Sequence, residues 1–390
     1  MRLGEADIQI IDGDRGKNYP NKFTESGYCL FLNAKNVTSK GFSFDSKQFI
    51  SKERDELLGK GKLQRNDVIL TTRGTVGNVA LYDESVPFDN VRINSGMVIL
   101  RCNQEKVNPS FLYYTMKSKN VQGQIFQMRT GSAQPQLPIS HLVNLEIDLP
   151  DLATQRAIAT TLSALDDKIA NNTKINHVLE QIAQAIFKSW FVDNVTDDWF
   201  YVNLGSVTTE IRTRVKEKEL PVLSAVKTGN LVLSEDYFTK QVYSKDISKY
   251  IVVAPNNFAY NPARINIGSI GINDFDFTGC VSPVYVVFRT EPEYHHFFRF
   301  FIKSSNFQEE VRVRASGSVR QSLNYRDFAL IEVIYPPIDV VRRFNSLYEP
   351  IHTMQRYLEE ENTHLAAIRD ALLPRLMSGE LSAPALENIT

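Results

Sequence analysis

Apolar residues recur at alternating four- and three-residue spacing in two long stretches of the chain. This spacing predicts a long helix with a continuous apolar seam in each stretch. The first helix is predicted over 154–191, with its seam at Ile158, Leu162, Leu165, Ile169, Leu179, Ala183, Ile186 and Trp190. The second follows position 337, with its seam at Phe344, Tyr348, Ile351, Leu358, Leu365, Leu372 and Leu376. A helix of about 38 residues is roughly 57 Å long, so the two seams are buried most economically against each other, as an antiparallel pair.

Polar residues and a proline interrupt these seams. Asn172 and Asn176 fall on the first seam, and Asn362 falls on the second. A buried asparagine costs stability but can fix the register and the partner of a helix. Supercoiling could instead turn the three residues to the rim of the pair. Pro350 has no N–H group, so it predicts a kink or a delayed start of the second helix.

The segments before each helix have a different pattern. Runs of β-branched and aromatic residues, separated by Gly, Asn and Pro, predict strands: DVILTT, SGMVILRC and NLEIDLP in the first segment, and FAYNPA, PVYVVFRT and LIEVIYP in the second. Helical spacing predicts one helix inside each segment, at 109–128 and at 295–313. Each segment is therefore predicted to be an α+β domain.

The two halves of the chain repeat each other. A shift of about 186 positions places Gly131 on Gly317 and Pro150 on Pro336 without a gap. The same shift relates the polar loops GSAQPQL and GSVRQSL. The predicted fold is thus two α+β domains joined by two long antiparallel coiled-coil helices, with an internal pseudo-two-fold repeat. Its parts are a first domain at 1–150, a long helix at 151–196, a second domain at 197–337, and a second long helix with its tail at 338–390.

The amino-acid composition is that of an ordinary globular protein. The 44 Lys and Arg residues balance 45 Asp and Glu residues, so any surface for nucleic acid must be local. The three cysteines, Cys29, Cys102 and Cys280, are too few and too scattered for a disulfide framework. The chain opens with early acidic residues and has no apolar run of about 20 residues. We therefore expect a cytoplasmic protein with no membrane partner.

No catalytic motif stands out in the sequence. It contains no GxxxxGK[ST] loop, no NPPY or DPPY tetrapeptide and no HExxH motif. His295 and His296 are predicted to be surface or capping residues rather than metal ligands. The sequence therefore favours binding over catalysis, with no metal and no cofactor bound by this chain.

Basic and amide side chains in the loops of both domains are candidates for DNA contacts. Lys and Arg bind phosphates, whereas Arg, Gln, Asn, Ser and Thr can also read base edges. The alternative for any one of them is ordinary solvated surface. The candidates are Lys17, Arg73, Thr75, Arg92, Arg129, Ser132, Gln134 and Gln136 in the first domain, and Lys227, Arg264, Arg314, Ser318, Arg320 and Gln321 in the second.

One long segment carries a family resemblance. The stretch GSAQPQLPISHLVNLEIDLPDLATQRAIATTLSALDDKIANNTKINHVLEQIAQAIFKSWF resembles the central conserved region of the specificity (S, or HsdS) subunits of type I restriction-modification systems. The later stretch LLPRLMSGEL resembles their distal conserved region. The resemblance covers essentially the whole chain, although the two domains match mainly by position.

The resemblance implies a subunit without an active site of its own. Each domain would be a target recognition domain that reads one half of a bipartite double-stranded DNA target, with the helix pair setting the spacer. Two modification subunits would supply S-adenosylmethionine and adenine-N6 methylation, flipping the target adenines. Restriction subunits would join through the holoenzyme and use ATP and Mg²⁺.

The resemblance also places subunit contacts on the helices and hinges. It implies such contacts for Gln155, Arg156, Trp190 and Phe191, with Arg342 at the position equivalent to Arg156. Trp190 could instead simply close the seam. The second hinge departs from the first, because VVRRF replaces TQRAI and puts a valine where Gln155 stands, so symmetric use of that glutamine is in doubt.

Two other functions fit parts of the pattern. The first is the recognition subunit of another bipartite methyltransferase-nuclease of the type IIB kind, which the neighbouring genes would distinguish. The second is an autonomous nuclease with duplicated domains, which would cleave DNA with Mg²⁺ alone.

Overall fold

The computed structural model describes residues 1–131, 134–196, 199–217, 219–238, 243–315 and 322–381. The chain divides into two compact units, Met1–Thr173 with Glu359–Thr390, and Lys174–Leu358. Each unit holds one strand-rich region and part of each long helix. The limits of the units therefore fall inside the helices, whereas the sequence-based division into 1–150, 151–196, 197–337 and 338–390 remains a prediction about segments of the chain.

Short strands and short helices build the first unit. A 3-10 turn at Leu3–Glu5 precedes them. The strands are β1 (Ile8–Asp12), β2 (Cys29–Phe31), β3 (Val37–Thr38), β4 (Gly41–Phe42), β5 (Phe49–Ile50), β6 (Asp67–Thr71), β7 (Val79–Tyr82), β8 (Val91–Arg92) and β9 (Met97–Cys102). The helices are α1 (Lys52–Leu57), α2 (Pro109–Lys117), α3 (Lys119–Met128) and α4 (Ile139–Leu142).

The main sheet of the first unit is buried on both faces. Its strand order is β1-β9-β6-β7, with antiparallel neighbours. Leu70 and Leu100 face a core shared with α2 and α3, and Ile69 and Ile99 face a second core shared with β2, β3 and β5. Burial on two faces explains why DVILT reads as a continuous apolar run rather than an alternating one.

The second unit is built in the same way. Its strands are β10 (Phe200–Asn203), β11 (Thr208–Ile211), β12 (Leu223–Ala225), β13 (Leu231–Leu233), β14 (Ile251–Val253), β15 (Phe258–Tyr260), β16 (Ile270–Ile272), β17 (Gly279–Val281), β18 (Val286–Thr290) and β19 (Glu332–Tyr335). Its short helices are α6 (Leu204–Val207), α7 (Ser234–Tyr237), α8 (His295–Phe301), α9 (Ser305–Arg314) and α10 (Tyr325–Phe328), with 3-10 turns at Ile265–Ile267 and Pro292–Tyr294.

The internal repeat is visible in backbone detail. The main sheet of the second unit has the order β11-β18-β15-β16, which matches β1-β9-β6-β7 strand for strand. Ser118 caps α3 through Val121 N, and Ser304 caps α9 through Phe307 N. Asn66 and Asn256, just before β6 and β15, both have positive φ, at 73° and 63°. These matches at equivalent positions confirm the predicted repeat and the predicted fold class.

The two long helices are α5 (Leu152–Lys188) and α11 (Ile338–Met377). A π-helical turn at Ser189–Asp193 follows α5. In the first unit, Arg369 Nη1 donates to Asp166 Oδ1 at 2.6 Å. In the second, Asn176 Nδ2 donates to the Gln355 carbonyl oxygen at 3.4 Å. Because the later residue of α5 faces the earlier residue of α11, the helices run antiparallel in both units, as predicted.

The polar and proline positions of the seam have definite outcomes. Asn172 is fully buried, and its Nδ2 donates to Glu361 Oε2 at 2.5 Å and to Asn362 Oδ1 at 3.0 Å. The interpretation of Asn172 as a seam residue is therefore confirmed. Of the two effects predicted for Pro350, the delayed start is wrong, because α11 begins at Ile338 and continues through the proline, while the kink stays a prediction. Buried Phe344 and Tyr348 anchor the turns before the proline in the core.

Three local predictions are also corrected. The helix expected at 109–128 is two helices separated at Ser118, and the one expected at 295–313 is divided at 302–304. In both, a serine that lies after the first helix caps the second, Ser118 for α3 and Ser304 for α9. The segment NLEIDLP was predicted as a strand, but it forms only an isolated bridge between Glu146 and Arg2.

Candidate nucleic-acid interface

A tight turn between β6 and β7 presents Arg73. The Thr71 hydroxyl bonds to the Thr75 carbonyl oxygen and accepts from Asn78 N at 2.9 Å, which closes the turn. Gly74 and Gly77 both have positive φ, at 75° and 102°, a conformation that favours glycine. Thr75 is exposed and Arg73 is half-buried. In the described part of the chain, the Arg73 guanidinium has no hydrogen bond or ion pair.

The polar loop GSAQPQL lies directly against this turn. Thr130 and Gln136 exchange backbone hydrogen bonds of 2.8 and 2.9 Å, and Leu137 N donates to the Thr72 carbonyl oxygen at 2.9 Å. Gln136 also forms a bridge with Arg73. Gln134 is exposed at the tip of the loop, and Ser132 lies outside the described residues. The structure thus brings together Arg73, Gln136 and the exposed neighbours Thr75 and Gln134.

A third loop, which the sequence did not single out, completes this surface. Arg73 N donates to the Gly96 carbonyl oxygen at 3.1 Å. Arg15 Nη2 donates to the carbonyl oxygen of Ser95 at 3.3 Å and also pairs with Asp12 at 3.0 Å. The segment that carries exposed Lys17 therefore meets the Arg73 turn through residues 94–96. No motif marks this meeting of segments, because it depends on strand order rather than on sequence spacing.

The second unit repeats the arrangement. Asn261 N donates to the Ser269 carbonyl oxygen at 3.0 Å, just as Thr71 N donates to Asn78 at 2.9 Å. Leu323 N donates to the Pro262 carbonyl oxygen at 3.1 Å, which matches the bond from Leu137 to Thr72. Arg264 is exposed in this turn. Ser318, Arg320 and Gln321, which belong to the matching polar loop, lie outside the described residues.

Other candidates lie at the edges of these surfaces. Lys227 is exposed, and its Cα would lie 3.5 Å from a Cβ built on Gly268, which ends the Arg264 turn. Arg314 is exposed at the end of α9 and pairs with Glu310 at 3.0 Å. The Arg129 guanidinium lies 3.9 Å from the ring centre of Phe126, beside the start of the first polar loop. That stack holds Arg129 against its own helix.

Arg92 is a correction, because it is a structural residue rather than a DNA contact. The residue is 5 % exposed. Its Nε donates to Asp55 Oδ1 at 2.5 Å, and its other nitrogens donate to the carbonyl oxygens of Asp55, Lys60 and Leu58 at 2.7, 2.7 and 3.0 Å. Lys62 and Arg92 hold the pKa of the Asp55 carboxyl below its ordinary value against the opposing effect of burial. Arg92 therefore braces α1 against β8, and no surface is left for DNA.

The hinge residues divide into internal and external groups. Gln155 is 1 % exposed, accepts from Asn108 N at 2.9 Å and donates to the carbonyl oxygens of Lys106 and Pro150 at 3.1 and 2.8 Å. It therefore fixes the start of α5 internally, and its predicted contact with another subunit does not fit. In the second unit, the Tyr294 hydroxyl donates to the Pro336 carbonyl oxygen at 2.9 Å. This bond takes the place of the one from Gln155 to the Pro150 carbonyl oxygen.

The remaining predicted subunit contacts differ in accessibility. Phe191 is 6 % exposed, in an aromatic cluster with Phe187 and Phe344. Trp190 is half-buried against the same cluster, so it closes the seam at least in part. Arg156 is exposed, and exposed Arg342 pairs with Glu293 at 3.3 Å. Arg156 and Arg342 are therefore the two of these residues that present charge to the surface.

A buried polar cluster joins α8 to α11 in the second unit. His296 is 4 % exposed, so the prediction of a surface or capping residue is wrong for it. Its Nε2 lies 2.6 Å from Glu349 Oε2, and His352 Nε2 lies 3.0 Å from Asp274, which also pairs with Arg299. Burial, together with the neighbouring His295, Arg299 and His352, lowers the pKa of His296 to about 2. The cluster is a structural junction with a neutral imidazole at its centre.

Reactive groups are scarce among the residues that the structure describes. No group of three His, Cys, Asp or Glu side chains is placed to hold a metal ion there. Burial raises the pKa of the Cys29 thiol to about 12 and that of Cys280 to about 11, so neither is a ready nucleophile. Over the same ranges, every helix is too short or too polar to cross a membrane.

Comparisons with known proteins place this arrangement. The family model described as "Type I restriction modification DNA specificity domain" matches residues 7–181. A relative from Methanocaldococcus jannaschii, the type I restriction enzyme MjaIX specificity subunit, is 27% identical over 83% of this chain and 79% of its own length. The HindI specificity subunit of Haemophilus influenzae is 24% identical over 95% of this chain and 98% of its own.

A solved structure shares the fold. The crystal structure of the type I restriction-modification S subunit from M. genitalium superposes with a TM-score of 0.63, at 16% identity, over 97% of this chain and 95% of that one. That likeness bears on the fold alone, whereas the family model and the relatives bear on ancestry. The chain is therefore similar to type I restriction-modification specificity subunits over most of its length, and it shares the fold of one of them.

Proposed function

We propose that each unit reads one half of a bipartite double-stranded DNA target through the surface built around its β6–β7 or β15–β16 turn. The observation that carries the proposal is the repetition of this surface. In both units, a turn with an arginine is held by a backbone bond from the segment after the polar loop, Leu137 to Thr72 and Leu323 to Pro262. Two copies of one frame with different side chains suit an asymmetric split target.

The side chains at these surfaces can serve both parts of DNA recognition. Arginine can bond bidentately to guanine in the major groove, and glutamine can bond to adenine. Lysine and arginine also neutralise phosphates, which fixes the protein on the duplex without reading sequence. Arg73, Gln134 and Thr75 are the proposed readers in the first unit, and Arg264 is the described one in the second.

The chain itself would supply recognition and assembly rather than chemistry. We propose that it holds two modification subunits, which bind S-adenosylmethionine and methylate adenine at N6. Restriction subunits that use ATP and Mg²⁺ would join the holoenzyme. Arg156 and Arg342 are proposed contacts for these subunits, and the length of the two long helices would set the number of unread base pairs between the half-targets.

Reconstitution with the modification subunit tests this function. The complex should methylate adenines only within one split consensus when it is given a library of random DNA. Methylation without a split consensus would contradict the proposal. Cleavage of DNA by this chain alone with Mg²⁺ would instead identify an autonomous nuclease.

A further inference from the structure

A small β-hairpin packs against the arginine turn in each unit. In the first unit it is formed by β3 and β4, and Asn78 Nδ2 of the turn donates to the Val37 carbonyl oxygen at 2.9 Å. In the second unit it is formed by β12 and β13, and Ser269 Oγ of the turn donates to the Ala225 carbonyl oxygen at 3.3 Å. Asn78 and Ser269 occupy equivalent places in their turns, so the two hairpins are also equivalent.

Each hairpin carries a lysine at its tip. Lys40 lies between β3 and β4, where its N–H donates to Thr38 Oγ1 at 3.2 Å and Gly41 follows with φ of 109°. Lys227 lies between β12 and β13, two residues before Gly229 with φ of 83°. Glycine at positive φ turns the chain tightly there, so each lysine is held at the end of a short, closed hairpin.

Both lysines are exposed and uncommitted. Neither ammonium group has an ion pair or a hydrogen bond to any residue in the described ranges, although acidic groups are common elsewhere on the surface. The position of Lys227 Cα, 3.5 Å from a Cβ built on Gly268, places the second tip beside the Arg264 turn. The bond from Asn78 to Val37 ties the first hairpin to the Arg73 turn in the same way.

We propose that the two hairpins are phosphate clamps, with Lys40 and Lys227 each neutralising one DNA phosphate beside the base-reading turn. This proposal rests on the proposed function and adds an element to each DNA surface. Lysine is a flexible point charge, suited to a phosphate and less suited to a fixed bidentate contact with a base. The clamps therefore contribute affinity and position, and the sequence of the target is read elsewhere.

The salt dependence of DNA binding separates a phosphate contact from a base contact. Lys40→Ala and Lys227→Ala are made in the full chain, assembled with the modification subunit, and binding is measured from 50 to 200 mM salt. Log affinity falls as log salt rises, and loss of one phosphate contact makes this slope less steep by about 0.9. The affinity lost at 50 mM salt should thus exceed that lost at 200 mM by about three- to fourfold.

Matched variants make the result specific. Lys40→Arg and Lys227→Arg should keep the slope, because the charge remains. Lys119→Ala removes an exposed lysine at the start of α3 and should leave the slope unchanged. The double variant should lower the slope by about 1.8. In every case the methylated consensus should remain the same.

Three outcomes overturn the proposal. An unchanged affinity and slope in both alanine variants would show that the hairpins do not touch phosphate. An altered consensus would show that the lysines read bases instead. If the unaltered complex does not prefer any target over random DNA, both the proposed function and the phosphate clamps are wrong. If the unaltered complex is selective and the alanine variants bind as it does, only the phosphate clamps are wrong.

Discussion

Arg73 and Arg92 show how far burial decides the role of a single residue. Both arginines lie in the first domain, and nothing in the sequence pattern separated them. Arg73 is half-buried beside two glycines of positive φ, with a guanidinium that has no bond within the described chain. Arg92 is 5 % exposed and tied to Asp55. Residue type predicted the chemistry of each side chain, but only the tertiary fold shows that Arg73 is accessible and Arg92 is buried.

Replacement of Arg92 should destabilise the first unit. Arg92→Ala leaves the buried Asp55 carboxylate without one of its two cations, and breaking a buried pair costs about 3–5 kcal/mol. Amide hydrogen exchange in α1 and β8 should rise accordingly. Both tryptophans, Trp190 and Trp199, lie in the second unit, so the unfolding midpoint seen by tryptophan fluorescence should stay constant. Normal protection of α1 in the variant would show that the brace is dispensable.

Replacement of Arg73 should affect only one half of the target. Arg73→Ala removes a side chain with no bond inside the described part of the chain, so the first unit should keep its stability. If Arg73 bonds to a base, reading of the first half-target should weaken or relax by about 1–3 kcal/mol. Methylation of DNA libraries varied in each half measures this. An equal effect on both halves would indicate a role in folding.

At the scale of elements, the long helices and main strands were predictable and their junctions were not. Heptad spacing and gapless repetition indicated α5 and α11 directly, because a buried seam must recur along the helix. The hinge illustrates the limit. Gln155 donates to the Pro150 carbonyl oxygen, but the equivalent position 341 is a valine. Tyr294, which is far from 341 in sequence, donates to the equivalent Pro336 carbonyl oxygen instead. Compensation of this kind depends on contacts across the fold, which residue spacing does not record.

The junction between α8 and α11 should make the second unit sensitive to mild acid. The pKa of His296 is about 2 in the folded chain, below the value of about 6.5 expected in the unfolded chain. The unfolded state therefore takes up a proton that the folded state refuses, and stability falls as pH drops below about 6.5. The slope for this residue is at most about 1.4 kcal/mol per pH unit. The lowered pKa of Asp274 adds a loss only below about pH 4.

Urea unfolding followed by tryptophan fluorescence between pH 7.5 and 5 measures this sensitivity. His296→Gln cannot take up the proton, so its unfolding free energy should depend less on pH than that of the original chain. The partners that face the ring are His295, Arg299, Tyr348, Glu349, His352 and Asp274. His364→Gln changes an exposed histidine in the other unit and should leave the slope as it was. Parallel pH profiles for the original chain and His296→Gln would refute the account.

For the whole molecule, the repeat was the most informative feature of the sequence. The shift of about 186 positions indicated two equivalent domains, and the structure shows the same strand order in each. The composition of the candidate DNA surface was only partly predictable. The sequence pattern singled out Arg73 and the polar loop. Arg15, residues 94–96 and the Lys40 hairpin come close to the same turn only because of the strand order of the sheet. The hairpins also lie well before the stretch in which the shift of about 186 positions aligns the two copies without a gap.

The proposed function requires that two repeated domains read two half-targets and that helix length sets the spacer between them. Its most direct test is to insert one heptad into α5 within 168–181 and a matching heptad into the facing stretch of α11. Modified-base sequencing of DNA treated with the reconstituted complex then locates the methylated adenines. Seven residues add roughly 10 Å of helix, or about three base pairs at 3.4 Å each. The same two half-targets should then be methylated, with a spacer longer by about three base pairs. Altered half-targets with an unchanged spacer would contradict it.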